Sequence, residues 1–272
     1  MANKKRLAAT FGAMALTAVI AIGGTLAYLS NVTETKTNTF TSAGKDVNGS
    51  VKEENWEKEG KDQASDYTPG QVIAKDPTIQ LEADSESAWV GVKLEFLGSD
   101  GVRMAYGTPK TEDAAATGFN VYASHDGIKE GWVLIAKNEQ GSELYAYQTN
   151  AIEGGQSAPT IFDEITVNAG ITKVTENVQK TYYKKTTVLD ADGNITSETT
   201  IPVKVEEMDP TVTYYDENGN AVGAQTLPKF EILVKGFAVQ SADNTDFAAV
   251  KKQIIDLANA SLADGETPYN AI

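Results

Sequence analysis

The stretch Ala88-Trp89-Val90-Gly91-Val92-Lys93-Leu94-Glu95-Phe96 decides the fold of this 272-residue chain. Its even-numbered positions from 90 to 96 are all apolar or aromatic, whereas the positions between them include Gly, Lys and Glu. Alternation with a period of two is typical of a half-buried β-strand, because successive side chains of a strand point to opposite faces. The stretch therefore predicts a strand with one face on a hydrophobic core.

Strand-like segments recur along the chain. Residues 144–147 and 230–239 are rich in aromatic and aliphatic side chains, as are residues 132–136 and 161–167. Residues 137–142 are polar and contain Gly141, which predicts a hairpin turn between two of these strands. Residues 172–228 hold further strand pairs around two Asp-, Asn- and Gly-rich turns. We interpret 172–228 as a hairpin insertion in one domain of residues 45–272, with a small separate domain as the alternative.

One helix is predicted, late in the chain, at about residues 244–263. Asp243 or Asn244 can cap its N-terminus. Apolar residues then recur at spacings of three and four, namely Phe247, Val250, Ile254, Leu257 and Ala258. Many short strands with a single helix predict an all-β fold, a β-sandwich of jelly-roll-like type.

The N-terminus has the organisation of an export signal. Lys4, Lys5 and Arg6 precede an uncharged, mainly apolar stretch that ends near Gly24. A retained membrane anchor is the alternative, but a spanning helix needs about 20 strongly apolar residues and this stretch is rich in Ala and Gly. Small residues at Thr25 and Ala27 predict cleavage between Ala27 and Tyr28, so residues 1–27 form the predicted signal peptide.

Composition limits the chemistry that the chain can perform. It has no Cys and one His, which excludes disulfides, zinc-thiolate centres and any site that needs two imidazoles. The net charge of -15 argues against nucleic-acid binding, which depends on Lys and Arg. Residues 1–27 carry three basic residues and no acid, so cleavage would leave a mature chain of charge -18. We expect self-association of such a chain to depend on salt or divalent cations.

Four motifs, the first of them in two parts, resemble a known family. Residues 23–30 (GGTLAYLS) and 38–44 (NTFTSAG) surround the predicted cleavage site, and residues 69–78 (PGQVIAKDPT), 88–96 and 230–240 (FEILVKGFAVQ) follow in order. Together they resemble the TasA and camelysin family, whose signal peptides are processed by a specialised (SipW-type) signal peptidase of Gram-positive biofilm formers. The resemblance covers about half of the chain, and residues 172–228 do not align with it.

The resemblance implies a secreted structural protein in the extracellular matrix or at the surface of a Gram-positive bacterium. It implies self-association into biofilm fibres, with the specialised signal peptidase as a partner during export and other matrix proteins or a polysaccharide as further partners. Residues 28–44 are Thr-rich and extended in character, and directly follow the cleavage site. We predict that this arm, including Tyr28, Val32, Phe40 and Gly44, is a donor strand that adds to the sheet of a neighbouring subunit.

Two other functions stay open. A secreted adhesin could bind polysaccharide on an aromatic platform made from Trp56, Trp132, Tyr145 and Tyr147, although such residues more often fill a core. Some camelysin-like relatives are classed as metallopeptidases. Here the lone His125, beside Ser124, lies in a polar turn-like stretch and no H-E-x-x-H motif is present. We therefore expect no catalytic site and no resident cofactor.

A weak calcium site is the remaining metal hypothesis. Asp190, Asp192 and Asn194 in one turn, and Asp216, Glu217, Asn218 and Asn220 in the other, supply oxygen ligands. Neither turn has the Gly and Glu positions of an EF-hand loop. Type I′ hairpin turns explain both stretches without a metal.

Overall fold

The structure, a computed structural model, describes residues 25–29, 40–43, 47–177, 179–241 and 246–272. The predicted signal core at residues 1–24 and the arm residues Val32 and Gly44 lie outside them. The strands of the described residues are β1 (Thr25–Leu29), β2 (Phe40–Ala43), β3 (Gly49–Lys52), β4 (Val72–Ala74), β5 (Thr78–Leu81), β6 (Ala88–Leu97), β7 (Arg103–Met104), β8 (Ala123–His125), β9 (Trp132–Lys137), β10 (Glu143–Tyr147), β11 (Glu164–Val167), β12 (Thr172–Glu176), β13 (Gln179–Leu189), β14 (Ile195–Glu207), β15 (Thr211–Tyr215), β16 (Ala221–Ala224), β17 (Phe230–Gln240) and β18 (Asn270–Ala271).

The helical elements are short, except for one near the C-terminus. A π-helical turn at Trp56–Gly60 runs into helix α1 (Lys61–Ser65), and a 3₁₀ turn covers Gly118–Val121. Helix α2 spans Phe247–Ala260. The predicted all-β fold with one late helix is therefore confirmed. None of the described helices is both long and apolar enough to cross a membrane.

The largest sheet has the strand order β1-β17-β6-β10-β9-β18, with β2 also paired to β17 and β7 to β6. Strands β17 and β6 are its longest strands and pair antiparallel along ten residues of each. The predicted β9–β10 hairpin is present, with a bulge between Leu144 and Tyr145. Smaller sheets, β4-β11-β8 and β3-β5, lie over one face and complete the sandwich.

The two faces of the large sheet contact different layers. On β6, Val90, Val92, Leu94 and Phe96 are buried in the main core against the smaller sheets. On the opposite face, Ile254 of helix α2 packs so closely that a side chain at Gly91 would meet its Cγ2 at 2.7 Å. Strand β6, which the alternation predicted to be half-buried, is thus buried on both faces.

That second face also carries a buried charged cluster beside the helix. Lys93 Nζ lies 2.8 Å from Glu95 and 2.7 Å from Glu266, and Arg103 contacts Glu95 at 2.5 Å. Lys235 on β17 lies directly opposite Lys93 on β6 in the strand register. Burial, together with the nearby Lys93 charge, lowers the pKa of Lys235 to about 8. The odd-numbered positions of β6 are therefore covered as well, Gly91 by helix α2 and Lys93 and Glu95 by the other members of this cluster.

Several predicted boundaries were wrong. Helix α2 begins after Asp246, whose side chain accepts a hydrogen bond from the backbone N–H of Ala248 at 3.0 Å, and it ends at Ala260. The proposed caps Asp243 and Asn244 lie outside the described residues. The strand predicted over 161–167 is extended and paired only from Glu164, because residues 161–163 run through a connection whose backbone bonds to Pro77, Lys75 and Lys129.

The insertion consists of two distinct parts. Strands β12, β15 and β16 form a three-stranded sheet that packs on the main core through the buried Val222 and the partly buried Tyr214. Strands β13 and β14 form a two-stranded antiparallel hairpin that is exposed along nearly its whole length. The base of the insertion therefore belongs to the sandwich, while the hairpin leaves it.

The two Asp-rich turns differ from the predicted type. Only Gly193 and Gly219 have a positive φ in them, at 83° and 80°, whereas a type I′ turn needs two such residues. In each turn the Asp carbonyl accepts from the Gly N–H three residues later, and the Asp N–H bonds to the Asn carbonyl four residues later. This is the pattern of a longer turn closed by one left-handed glycine.

Candidate functional site

The outer edge of β17 is the candidate functional site, because both N-terminal strands lie on it, β1 at the predicted cleavage site and β2 in the arm. Strand β1 pairs antiparallel with Phe230–Val234, and β2 pairs parallel with Gly236–Val239. Only Lys235 and Gln240 of β17 lie outside these two registers. The other edge of β17 is occupied by β6. Within the described residues, the outer edge of β17 is thus covered by β1 and β2 alone.

The predicted cleavage site falls inside β1. Ala27 pairs with Ile232 and Tyr28 pairs with Glu231. A cut between them would separate the part of β1 opposite residues 232–234 from the part that stays on the mature chain. Of the predicted donor residues, Tyr28 lies in β1 and Phe40 lies in β2, opposite Gly236. Both therefore lie on the β17 edge of their own chain.

The opposite edge of the large sheet is covered by the C-terminus. Strand β18 pairs with Lys137 and Ala136 of β9, and the Ile272 N–H bonds to the Ile135 carbonyl at 3.2 Å. The preceding loop is held by Glu266, which accepts from Lys93 Nζ at 2.7 Å, from the Tyr269 hydroxyl at 2.9 Å and from the Ala263 N–H at 3.0 Å. This C-terminal cover is anchored by buried side chains.

The four aromatic residues of the predicted platform are buried. Trp132 and Tyr147 contact each other with ring centroids 5.5 Å apart, and the Trp132 indole N–H donates to the Pro159 carbonyl at 3.0 Å. The Tyr145 hydroxyl donates to Glu143 at 2.7 Å, and Trp56 lies beneath Lys75. Their ring faces fill the core. In this conformation they offer no platform to a polysaccharide.

His125 is a packed residue between two aromatic rings. Its ring is parallel to that of Tyr106 at 4.3 Å and lies 5.3 Å from that of Phe162. Its Nδ1 accepts from the Gly127 N–H at 3.1 Å, so the proton of the neutral ring resides on Nε2, which is buried without a hydrogen-bond partner among the described residues. Burial lowers the pKa of His125. A neutral, stacked imidazole stabilises this region by packing.

The Asp190 and Asp216 carboxylates, proposed as calcium ligands, are engaged within their own turns, whereas Glu217 pairs with Lys110 Nζ at 3.1 Å outside its turn. The Asp216 carboxylate accepts from the Asn218 and Asn220 N–H groups at 2.9 and 2.8 Å and from the Asn220 amide at 3.1 Å. Asp190 makes the same set of bonds in its turn. Over the described part of the chain, no three His, Asp or Glu side chains are grouped so that they could hold a metal ion.

A shallow cleft of about 400 Å³ lies where the insertion meets the sandwich. It is lined by Ser99, Thr213, Lys229 and residues 221–224 and 226–228, which are mostly small or apolar. Lys229 is the one charged residue in this lining. The cleft offers few groups that could orient a polar ligand.

Sequence inspection missed the exposed apolar side chains of the β13–β14 hairpin, among them Tyr182 and Tyr183. Residues 201–205 alternate as a strand with one buried face does, so the sequence carried no signal that both faces of the hairpin would be exposed. Comparisons with known proteins add no further assignment: no family model, curated protein or solved structure matches the chain.

Proposed function

We propose that this is a secreted structural protein of an extracellular matrix, which assembles into fibres by N-terminal strand addition between subunits. The observation that carries the proposal is the cover of the outer β17 edge by β1 and β2. The resemblance of the export signal and of three later motifs to the TasA and camelysin family supports the same function.

The arm is suited to exchange between subunits because it is held as strands on an edge. Its backbone hydrogen bonds to the β17 edge can form equally well with an extended segment of the same chain or of a neighbouring copy. The same arm can therefore cover its own β17 edge in a monomer and the β17 edge of a neighbour in a fibre.

Signal cleavage would favour the exchange. Removal of residues 25–27 takes away the strand-pairing partners of Val234, Leu233 and Ile232. This part of the outer edge of β17 therefore becomes open as the protein is released. The unpaired N–H and C=O groups of an open sheet edge are a strong template for another strand. Arm-to-edge contacts between copies are head-to-tail and do not close, so they generate filaments.

Deletion of residues 28–44 tests the proposal. We expect electron microscopy to show fibres for the purified mature protein and only short or no assemblies for the deletion variant. A synthetic peptide of residues 28–44, added in excess to the intact protein, should shorten the fibres by competing for the β17 edge. Fibres of normal length in the deletion variant would rule the mechanism out.

A matched control removes the cover of the other sheet edge. Deletion of residues 270–272 takes away β18 but leaves Glu266 and Tyr269 in place. If strand addition at β17 drives assembly, this variant should still form fibres. Circular dichroism of each variant establishes that the sandwich has folded.

A further inference from the structure

The β13–β14 hairpin concentrates the exposed apolar surface of the described chain. The described residues include thirteen exposed large apolar or aromatic side chains. Eight of these lie on the hairpin: Tyr182, Tyr183, Val188, Leu189, Ile195, Ile201, Val203 and Val205. Clustered exposed apolar residues mark interaction surfaces far more often than scattered ones do. A two-stranded hairpin is also marginally stable by itself in water.

The hairpin is close to neutral in a strongly acidic chain. Residues 179–207 contain four Lys and five acidic residues, a net charge of -1, against -15 for the whole chain. With 11 and 13 residues in its strands, it extends about 35–40 Å at roughly 3.3 Å per residue. Two copies can therefore meet through their hairpins while their acidic bodies stay apart.

The two outer edges of the hairpin carry opposite charge. Strand β13 contains three Lys and no acid, whereas β14 contains three Glu and one Lys. Within one chain, Lys185 pairs with Glu198 at 2.7 Å, and Lys180 Nζ lies 5.0 Å from the ring centroid of Tyr182. Lysine on an edge strand opposes pairing with another lysine-rich edge, but not with an acidic one.

We propose that the β13–β14 hairpin is a self-association element, in which the outer edge of β13 pairs with the outer edge of β14 in a second copy of this chain. Pairing of β13 with β13 would bring Lys residues together, and pairing of β14 with β14 would bring Glu residues together. The contact is a second one, independent of strand addition at β17.

Charge reversal on one edge at a time tests this pairing. We expect Lys180→Glu/Lys184→Glu, and separately Glu206→Lys/Glu207→Lys, to weaken self-association at least about tenfold, because each places like charges across the contact. An equimolar mixture of the two variants should associate again, since the acidic β13 of one fits the basic β14 of the other. The readout is sedimentation velocity over a range of protein and salt concentrations.

Lys251→Glu/Lys252→Glu on helix α2 changes the net charge as much as the β13 variant does and is its control, and it should weaken self-association far less than the β13 variant. The protein without residues 28–44 separates the two contacts: it should lose the long fibres, and the association that remains in sedimentation velocity should be lost when either charge reversal is added to it. Three results would overturn the proposal: an intact protein that stays monomeric, charge-reversed variants that associate as the intact protein does, or a mixture that stays dissociated. Binding of the hairpin to polysaccharide or anionic vesicles by a protein that remains monomeric would assign the surface to another partner instead.

Discussion

Lys75 and Glu53 form an ion pair that is closed to solvent, with Nζ 2.5 Å from Oε1 and side chains 0% and 1% exposed. The Lys75 ammonium also lies 5.1 Å from the centroid of the Trp56 ring. The neighbouring Asp76 carboxylate accepts from the Asn55 and Trp56 N–H groups at 2.9 and 3.2 Å. Burial raises the pKa of Glu53 and lowers that of Lys75, and the attraction between the two charges opposes both shifts. The pair joins the π-helical turn to the segment between β4 and β5.

Breaking this pair should destabilise the fold strongly. Glu53→Gln leaves a buried ammonium without its carboxylate, and we expect a loss of about 3–5 kcal/mol in the free energy of unfolding in urea. The double variant Glu53→Leu/Lys75→Met, which buries no charge, should recover part of that loss. As a control, Lys252→Ala removes the exposed pair with Asp256 and should leave stability unchanged within error. Equal effects of the buried and exposed changes would contradict the role assigned to the buried pair.

Stability should fall as the pH drops through about 6.5, the ordinary pKa of His. His125 has a lowered pKa in the folded state, so the unfolded chain binds the proton first, and the folded state loses stability between the ordinary and the lowered value. His125→Phe keeps an aromatic ring between Tyr106 and Phe162 but cannot titrate. Its melting temperature should change less between pH 7 and 5.5. Because the chain has one His, the imidazole can be followed directly by NMR.

The two Asp-capped turns form a matched pair. Asp216 and Asp190 accept equivalent hydrogen bonds, but Asp216 is buried in the base of the insertion and Asp190 is exposed at the hairpin tip. Asp216→Ala should cost about 1–2 kcal/mol, because it removes the hydrogen bonds that a buried carboxylate makes across the turn. Asp190→Ala should cost clearly less, since water replaces its oxygens. Chemical unfolding of both variants makes the comparison. A larger loss for Asp190 would mean that the hairpin tip is covered in solution.

Assembly should respond to ionic conditions. The predicted mature charge of -18 makes copies repel, so added NaCl or Mg²⁺ should speed fibre growth measured by light scattering. Lowering the pH towards the pI of about 4.5 also reduces the charge, but it weakens the region around His125. Salt at pH 7.5 is therefore the cleaner test. Growth that slows with increasing salt would show that attraction between opposite charges, rather than screened repulsion, limits assembly.

The strands of the core were predictable because their patterns are local. Val90 to Phe96 alternate with a period of two, and β6, β9, β10 and β17 lie where the sequence places them. The burial of the second face of β6 was not predictable from that alternation. Helix α2 was predictable for the same reason, since Val250, Ile254 and Ala258 recur with the helical period and are buried. Its ends were not, because several Asp and Asn residues compete as caps.

The candidate site was predictable only in part. An extended N-terminal arm follows from its Thr-rich composition, but the identity of its partner strand depends on contacts about 200 residues apart in sequence, such as Tyr28 with Glu231. No local pattern encodes that pairing. The aromatic residues show the same limit, since Trp132 looks identical in sequence whether its ring faces solvent or the core.

By itself, the sequence determined the all-β class, the late helix, the acidic charge and the absence of thiol and multi-histidine chemistry. Periodicity and composition decide these features, and they need no knowledge of distant neighbours. Only the tertiary structure decided that β1 and β2 lie on the same edge of β17, that Lys75 meets Glu53, and that β13 and β14 leave the core with their apolar side chains exposed. Each of these depends on which segments the folded chain brings together, because a backbone edge, a buried charge or an apolar face has its effect only through what packs against it.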